Sequence, residues 1–421
     1  MNVAYPTIKS EVDAFCEGLD AVLMIEEGQP EYIEQSISTV LARTKSPTAV
    51  HGKDYLPMGG DYTAAVLTEG IGRFLEDHEP KQLGNRAPVP DPVPILRNPV
   101  IERLAETVPA RPPGLCTGCP ERPIFAAMKM VFEETGTHHV SADIGCHLFS
   151  ILPPFNLGAT TMGFGLGPAS AAAFNVKGAK RSISIMGDGG FWHNGLTSGI
   201  GNAVFNKHDG VFVIVDNFYS SATGGQDILS SRAHNKRRKT NNSIVDAVKG
   251  IGATWVRQVD HTYDVTRMRD VLNEALTTDA EGPKIIVASS ECMLNKQRRE
   301  KPKVAKAISG GKRVVKEKFG VDEDVCTGDH ACMRLSGCPS LSIKELDDPL
   351  RDDPVASIDD TCVACGNCGE VADAAVLCPS FFRAEVTHNP TGWDRFRANL
   401  SGSVIRYLQD RREKRAVSFE V

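Results

Sequence analysis

The chain has 421 residues, 41% of them hydrophobic, with 53 acidic against 47 basic side chains and a net charge of −6. That length is enough for two or three cores, and the acidic balance gives no ground for nucleic-acid or membrane-surface binding, which leaves small molecules and proteins as expected partners. No apolar run approaches the ~20 residues that span a bilayer, and the first residues, MNVAYPTIKSEV, lack the apolar stretch of a signal peptide, so a cytoplasmic protein is expected.

Residues 1–84 combine a short apolar strand at 21–25 with Tyr32, Ile33, Ile37, Val40 and Leu41 at helical spacing. One strand and two helices make a poor independent core, so this segment reads as part of an α/β domain. Residues 85–113 carry eight prolines and read as an extended linker. From 114 to 312 strands alternate with helices. The short apolar runs at 140–144, 182–186, 211–215 and 284–289 are the candidate parallel strands of a sheet covered on both faces, an α/β domain. The basic stretch at 296–318 reads as a solvated connector. A cysteine-rich module follows at 313–384, and residues 385–421 form a tail whose amphipathic helix, at 393–408, is placed to strap two domains together.

Two of these strands end in informative residues. Gly187-Asp188-Gly189-Gly190 follows the strand at 182–186, and Asp216-Asn217 closes the run at 211–215. The glycines let backbone approach a diphosphate, and the helix they open favours anions at its N-terminus. A carboxylate, an amide oxygen and a backbone carbonyl beyond Asn217 are hard ligands suited to Mg2+ that keeps diphosphate oxygens in its octahedron. The pattern resembles a thiamine diphosphate site; the alternative is an ordinary βα turn. Gly163, Gly165 and Gly167 resemble a dinucleotide loop but lack its full spacing and its acidic partner, so close helix–sheet packing is expected instead. Lys236-Arg237-Arg238-Lys239 reads as a solvated loop, with contact to coenzyme A phosphates or a partner as the alternative.

Twelve cysteines in a large chain without an export signal point to metal or cluster ligation rather than disulfides. Cys16 alone stands outside any motif and reads as a small core residue. Cys362-x2-Cys365-x2-Cys368, followed by Cys378-Pro379, resembles the [4Fe–4S] run of bacterial-type ferredoxins, and Cys326, Cys332 and Cys338-Pro339 repeat it with Asp329 in place of the middle cysteine. By that resemblance Cys326, Asp329, Cys332 and Cys378 hold one cluster, while Cys338, Cys362, Cys365 and Cys368 hold another. Zinc is the competing reading, since C-x2-C pairs also build Zn sites. Cys116-x2-Cys119, Cys146 and Cys292 lie at strand ends or loops of the main domain. Because the loops after parallel strands share one edge, they are candidates for a third cluster near the cofactor; structural or buried cysteines are the alternative.

With these residues assembled, the chain resembles the 2-oxoacid:ferredoxin oxidoreductases, most closely their indolepyruvate-type branch. The resemblance is carried by Arg111-Pro-Pro-Gly-Leu-Cys116-Thr-Gly-Cys119-Pro120, Asp143-Ile-Gly-Cys146, the stretch 187–194, and 215–217 through Thr223-Gly-Gly-Gln226. Glu26-Glu27-Gly28-Gln29-Pro30 resembles that family's transketolase-C-terminal-like domain. The resemblance implies oxidative decarboxylation of a 2-oxoacid, usually an arylpyruvate, to acyl-CoA, with single electrons passing through two to three [4Fe–4S] clusters to ferredoxin. It further implies that Asp188 and Asn217 bind Mg2+ through their side chains and Tyr219 through its carbonyl, and that Gly187, Gly189, Gly190 and Thr223 belong to the diphosphate site. Ile144, Gly145 and Cys146 would lie close to the thiazolium. His193 is a candidate polar group near the substrate, or equally a histidine hydrogen-bonded at a helix start.

One departure stands out: thiamine enzymes need a glutamate from a pyrimidine-binding domain, and no such domain is legible here. The chain is therefore expected to be one half of a split enzyme, or a fragment, with that glutamate on a partner subunit. Competing functions are an electron-transfer subunit with a vestigial thiamine fold and a non-oxidative thiamine-dependent decarboxylase. Asp329 generates a test, because an oxygen ligand is harder than thiolate and leaves its iron labile. The wild type is expected to convert readily to a [3Fe–4S] form and Asp329→Cys to resist conversion; identical electron paramagnetic resonance spectra would refute the assignment.

Overall fold

The computed structural model describes residues 2–3, 6–28, 30–79, 114–175, 180–232, 240–347, 351 and 353–417. The proline-rich linker, Gln29, Arg111 and the basic run 236–239 lie outside the described residues. The chain divides into two units, Met1–Pro112 and Pro113–Val421.

In the first unit, helix α1 (Lys9–Cys16), strand β1 (Ala21–Leu23), helix α2 (Tyr32–Thr44), strand β2 (Ala49–His51) and helix α3 (Ala64–His78) follow one another. Val12, Cys16, Ile37 and Leu41 are its buried core. The Glu26 carboxylate accepts from the backbone N–H groups of Ile33 (3.0 Å) and Glu34 (3.1 Å), satisfying otherwise unpaired donors in the first turn of α2. Two expectations need correction. The strand expected at 21–25 stops at Leu23 and is only half-buried, and it pairs in parallel with a second strand, β2, that is too short to show a pattern.

The second unit begins with helix α4 (Glu121–Thr135), strand β3 (Val140–Ala142), a 3-10 turn at Cys146–Ile151, strand β4 (Thr160–Thr161), helix α5 (Gly167–Ala172) and strand β5 (Ile183–Gly187). Asp188–Gly190, Phe191–Gly201 and Asn202–Phe205 then run on as one helix, α6, whose middle part is π-helical. Next come strand β6 (Val211–Asp216), helix α7 (Ile244–Gly250), strand β7 (Trp255–Val259), helix α8 (Val265–Thr277), strand β8 (Lys284–Ser289) and helix α9 (Met293–Ser309). Six strands form one parallel sheet in the order β4-β3-β5-β6-β8-β7. Strand β6 shows why its sequence is a continuous apolar run: Val211, Val213 and Val215 enter the core under α4 and α8, while Phe212 and Ile214 enter the core under α6 and α7. The strands expected at 140–144 and 182–186 occupy 140–142 and 183–187, and β4 and β7 are additional.

The remaining elements are strand β9 (Val314–Val321), helix α10 (Ala331–Ser336), strands β10 (Leu341–Lys344) and β11 (Val355–Ile358), helix α11 (Asn367–Val376), strand β12 (Phe381–His388) and helix α12 (Gly392–Val417). Strands β9 and β12 pair antiparallel, as do β10 and β11, and α10 and α11 pack on each other and on α4. The basic stretch at 296–318 is not a connector. It is most of α9 and the start of β9, because Met293, Val304 and Ile308 recur at helical spacing beneath the charges. Nor does the tail helix strap domains together: along α12, Trp393, Phe396, Leu400 and Leu408 are all exposed, and its start is fixed by Asp394, which pairs with Arg313 at 2.8 Å and accepts from the Thr391 hydroxyl.

At the start of β8 the Lys284 side chain is fully buried, and its ammonium pairs with Asp209 and donates to the Gly282 carbonyl. Burial works to raise the Asp209 carboxyl, yet Lys284 and Arg181 together hold its pKa below the usual carboxylate value. Removing only the acceptor leaves a buried, unpaired ammonium, at a cost of about 3–5 kcal/mol, whereas removing the charge itself is close to neutral. Asp209→Asn is therefore expected to lower the melting temperature more than Lys284→Met does, a comparison that calorimetry checks directly.

Candidate functional site

The register of the sheet assembles the site. Ala142 pairs with Ile185, Gly187 with Val215 and Asp216 with Ser289, so the residues that follow β3, β5, β6 and β8 leave the sheet at one level. Asp143, Asp188 and Asn217 emerge there, and Cys292 joins them because its backbone N–H donates to the Asn217 carbonyl at 3.1 Å. The cleft at this edge is lined by Glu121, Ile144, Gly145, Cys146, His147, Phe164, Gly187, Asp188, Gly189, Gly190, Asn217 and 219–222.

Asp188 is 1% exposed. One carboxylate oxygen accepts from the Gly189 N–H at 2.8 Å, while Oδ2 is buried with no partner. Asp216 lies beside it, with Oδ2 accepting from the Ser289 hydroxyl at 3.2 Å and Oδ1 buried with no partner. Burial, reinforced by the neighbouring Asp216, raises the Asp188 pKa well above the carboxylate range, and burial pushes Asp216 up to about 6. Asn217 Oδ1 accepts from the Ser221 hydroxyl (2.8 Å) and the Tyr219 N–H (3.3 Å). Between Asn217 and Tyr219, Phe218 adopts φ 69°, a left-handed conformation uncommon for an aromatic residue.

The floor is built by close approach. Asp143 Oδ2 accepts from the Gly165 N–H at 2.7 Å, and a Cβ on Gly190 would lie 2.0 Å from that same oxygen. A Cβ on Gly165 would lie 2.4 Å from the Gly190 carbonyl oxygen, so the glycines at 163–167 serve the packing of α5 and α6 against the sheet. The other Asp143 oxygen pairs with His147 Nε2 in a fully buried contact. Burial disfavours the charged imidazole, but Asp143 outweighs it and raises the His147 pKa. Glu121 is 2% exposed, its Oε2 has no partner, and burial pushes its pKa up to about 7.

Among the candidates read from sequence, Ile144, Gly145, Cys146, Gly187, Asp188, Gly189, Gly190, Asn217 and Tyr219 line this cleft. Two others do not. His193 is exposed on α6, with its ring 5.2 Å from that of Phe164, and the Thr223 hydroxyl closes a local turn by donating to Gln226 Oε1 at 2.7 Å. Sequence reasoning overlooked His147 and Glu121. The first was legible as the i+4 partner of Asp143, but nothing in the sequence marked Glu121 as buried.

The cysteines fall into three groups. Cys116 has Cys292 as a charge neighbour, Cys119 has Cys146, and Cys146 has Cys292 and Cys116. Cys332 faces Cys326, Cys378 and Asp329. Cys338, Cys362, Cys365 and Cys368 line one small cavity together with Thr117, Gly118 and Arg122. Burial raises the thiol pKa of Cys116, Cys119, Cys146 and Cys368 and pushes Cys332 and Cys365 up to about 11. Among the described residues no three His, Cys, Asp or Glu side chains converge as a single metal ion requires. A cluster of several irons separates its thiolates more widely.

The family model described as thiamine pyrophosphate enzyme, C-terminal TPP binding domain, matches residues 142–288. The indolepyruvate oxidoreductase subunit IorA of Thermococcus kodakarensis is 28% identical over 389 residues, covering 88% of this chain and 55% of that protein. Its namesake from Archaeoglobus fulgidus is 29% identical over 389 residues, covering 90% and 55%. On these matches the chain is similar to the 2-oxoacid:ferredoxin oxidoreductases of the indolepyruvate type. It spans about half the length of the curated relatives it matches. A 2-oxoglutarate:ferredoxin oxidoreductase from Magnetococcus marinus aligns over 44% of this chain and 65% of that chain, at 20% identity and a TM-score of 0.38, too low to add to the assignment. The residues that the family model matches contain nearly all of the six-stranded parallel sheet, and the Asp188–Asn217 cleft lies at the edge of that sheet. Because a methyl group at Gly190 has no room beside Asp143, Gly190→Ala is expected to cost at least about 1–3 kcal/mol of stability. Thermal unfolding of the variant measures this.

Proposed function

We propose that this chain is the thiamine diphosphate- and iron–sulfur-bearing part of an arylpyruvate oxidoreductase, of which indolepyruvate is the representative substrate, forming acyl-CoA and reducing ferredoxin in the cytoplasm. One observation supports it most: Cys146 lines the cofactor cleft and also has Cys116, Cys119 and Cys292 as its cysteine neighbours. An electron acceptor held by these thiolates would sit at the wall of the cofactor site. The donor sets suit the groups proposed. The unpartnered oxygens of Asp188 and Asp216 are hard ligands that Mg2+ would satisfy, with Asn217 and the Tyr219 carbonyl beside them. The buried thiols, unfavourable as free thiolates, are the ligands that clusters stabilise.

Thiamine diphosphate, when bound, supplies the carbanion and electron-sink chemistry that decarboxylates a 2-oxoacid. This chain's own residues hold and shield that chemistry. The start of α6 would hold the diphosphate through its backbone N–H groups and the positive end of its dipole. Asp143 fixes Gly165, Gly190 and the His147 ring in one buried arrangement, which keeps the floor rigid. His147, held by Asp143, and Glu121 line the cleft with Asp188, as do Cys146 and Tyr219. The glutamate that activates the cofactor's pyrimidine belongs to a partner subunit carrying the pyrimidine-binding domain.

Calorimetric titration of the full chain with thiamine diphosphate and Mg2+ tests this reading. The wild type is expected to bind, and Asp188→Ala to lose at least about 100-fold in affinity, about 2.8 kcal/mol. Equal affinities would refute it. Decarboxylation of arylpyruvates is expected only after the partner subunit is added.

A further inference from the structure

Two of the three cysteine groups touch through a thin wall. A Cβ on Gly118, between Cys116 and Cys119, would lie 3.6 Å from Cys365 Cβ and 2.4 Å from a Val363 methyl, so the backbone of one cysteine loop rests on the other. The Tyr263 hydroxyl donates to the Gly118 carbonyl at 2.5 Å, and the Ser340 hydroxyl donates to Thr117 Oγ1 at 3.4 Å. Arg122 spans the same wall.

The guanidinium of Arg122 is nearly enclosed, with the residue 4% exposed. Its Nε donates to the Cys116 carbonyl at 3.0 Å and a second nitrogen to Leu115, while the third donates to Ser336 at 3.1 Å and to Gly337, the two residues before Cys338. All four acceptors are backbone carbonyls. A buried cation held only by carbonyls lacks the full opposite charge that burial ordinarily demands. Among the groups whose charge it faces are Cys119 and Cys116 on one side and Cys338 and Cys365 on the other, with Glu121 beside it in sequence. Two cysteines from each set are thus positioned as its counter-ions, a role that thiols fill only once they are deprotonated in a cluster.

We propose that Arg122 is a positioning residue shared by two clusters, one on Cys116, Cys119, Cys146 and Cys292 and one on Cys338, Cys362, Cys365 and Cys368. Its fork fixes the gap across which an electron passes, and its permanent charge raises the reduction potential of both clusters by stabilising their more negative reduced forms. This deepens the cluster reading given above and rests on it. Cys326, Cys332, Cys378 and Asp329 are not among the groups Arg122 faces, so their cluster is an internal control.

The test is a redox titration of the anaerobically reconstituted full chain, followed by electron paramagnetic resonance and iron analysis, for the wild type, Arg122→Met and Arg122→Lys. The wild type is expected to hold about twelve irons, three cubanes. Arg122→Met is expected to lower the midpoints of the two flanking clusters by at least about 59 mV, a tenfold shift of a one-electron equilibrium, without moving the control cluster. Arg122→Lys, which keeps the charge but not the fork, is expected to restore the midpoints. If Arg122→Met fails to assemble its clusters, Arg122→Lys decides: wild-type midpoints support the proposal, and midpoints lowered as by loss of charge overturn it. Unchanged midpoints in Arg122→Met at full iron content also overturn it. About eight irons in the wild type would instead overturn the third-cluster assignment, and this proposal with it.

Discussion

The in-register parallel pairing of β5, β6 and β8 is the constraint from which the site follows. Parallel strands end on one side, and here Gly187 opposite Val215 and Asp216 opposite Ser289 bring three chain segments to the same level. A slip of one residue in either pairing would turn alternate side chains of β6 from one core to the other, so the two cores under the sheet faces hold the register. Asp188, Asn217 and Cys292 are positioned by hydrophobic packing some way from any polar chemistry. The cofactor edge and the first cysteine group therefore share one scaffold, and the backbone bond from Cys292 to Asn217 joins them.

A second constraint acts across that edge. Asp143 uses one oxygen for the Gly165 N–H and the other for His147, and it lies so close to Gly190 that no side chain fits there. Three loops are thereby referred to one buried carboxylate. Such an arrangement is costly unless every oxygen is satisfied, and the Asp143 oxygens are, in contrast to Asp188 Oδ2 and Asp216 Oδ1 on the other side of the cleft. The difference separates what holds the cleft together from what awaits an occupant.

Much of this was legible in the sequence, for identifiable reasons. The runs at 182–186, 211–215 and 284–289 announce buried strands because both faces of the sheet are covered, so apolar residues are not interrupted by polar ones. Glycine turns and closely spaced cysteines are local signals, and the structure places Asp188 near Asn217 and Cys338 with Cys362, Cys365 and Cys368. What escaped depends on contacts distant in sequence or on charge masking a pattern. Strands of two or three residues such as β2 and β4 carry no period. Helix α9 hid its apolar positions under lysines and arginines. His193 sat in a suggestive motif, yet the face of a helix to which a side chain points depends on winding, and here the helix is π-wound. Glu121 and Arg122 carry no local mark of burial; only tertiary packing buries them.

The buried charges of the second unit fall into two kinds. Lys284 is matched by Asp209 and Arg181 lies beside the same carboxylate, so that cluster is complete in the protein alone. Among the described residues, Asp188, Asp216, Glu121, Arg122 and the raised thiols are not matched by a side chain of opposite charge in comparable contact, and each lines or adjoins the cofactor cleft or a cysteine group. Unmatched burial lowers the stability of the empty protein, and whatever binds only the folded state recovers that stability through its own binding free energy. Folding and loading are then coupled where the polypeptide leaves charge uncompensated. Asp188 and Cys146 line one cleft, Cys146 and Arg122 share Cys116 as a neighbour, and Arg122 and Cys365 line one cavity; under the proposed function this is the route by which electrons would leave the cofactor. Under that function, stability withheld from the apo-protein and a path for electron transfer would be two consequences of the same buried, incomplete electrostatics.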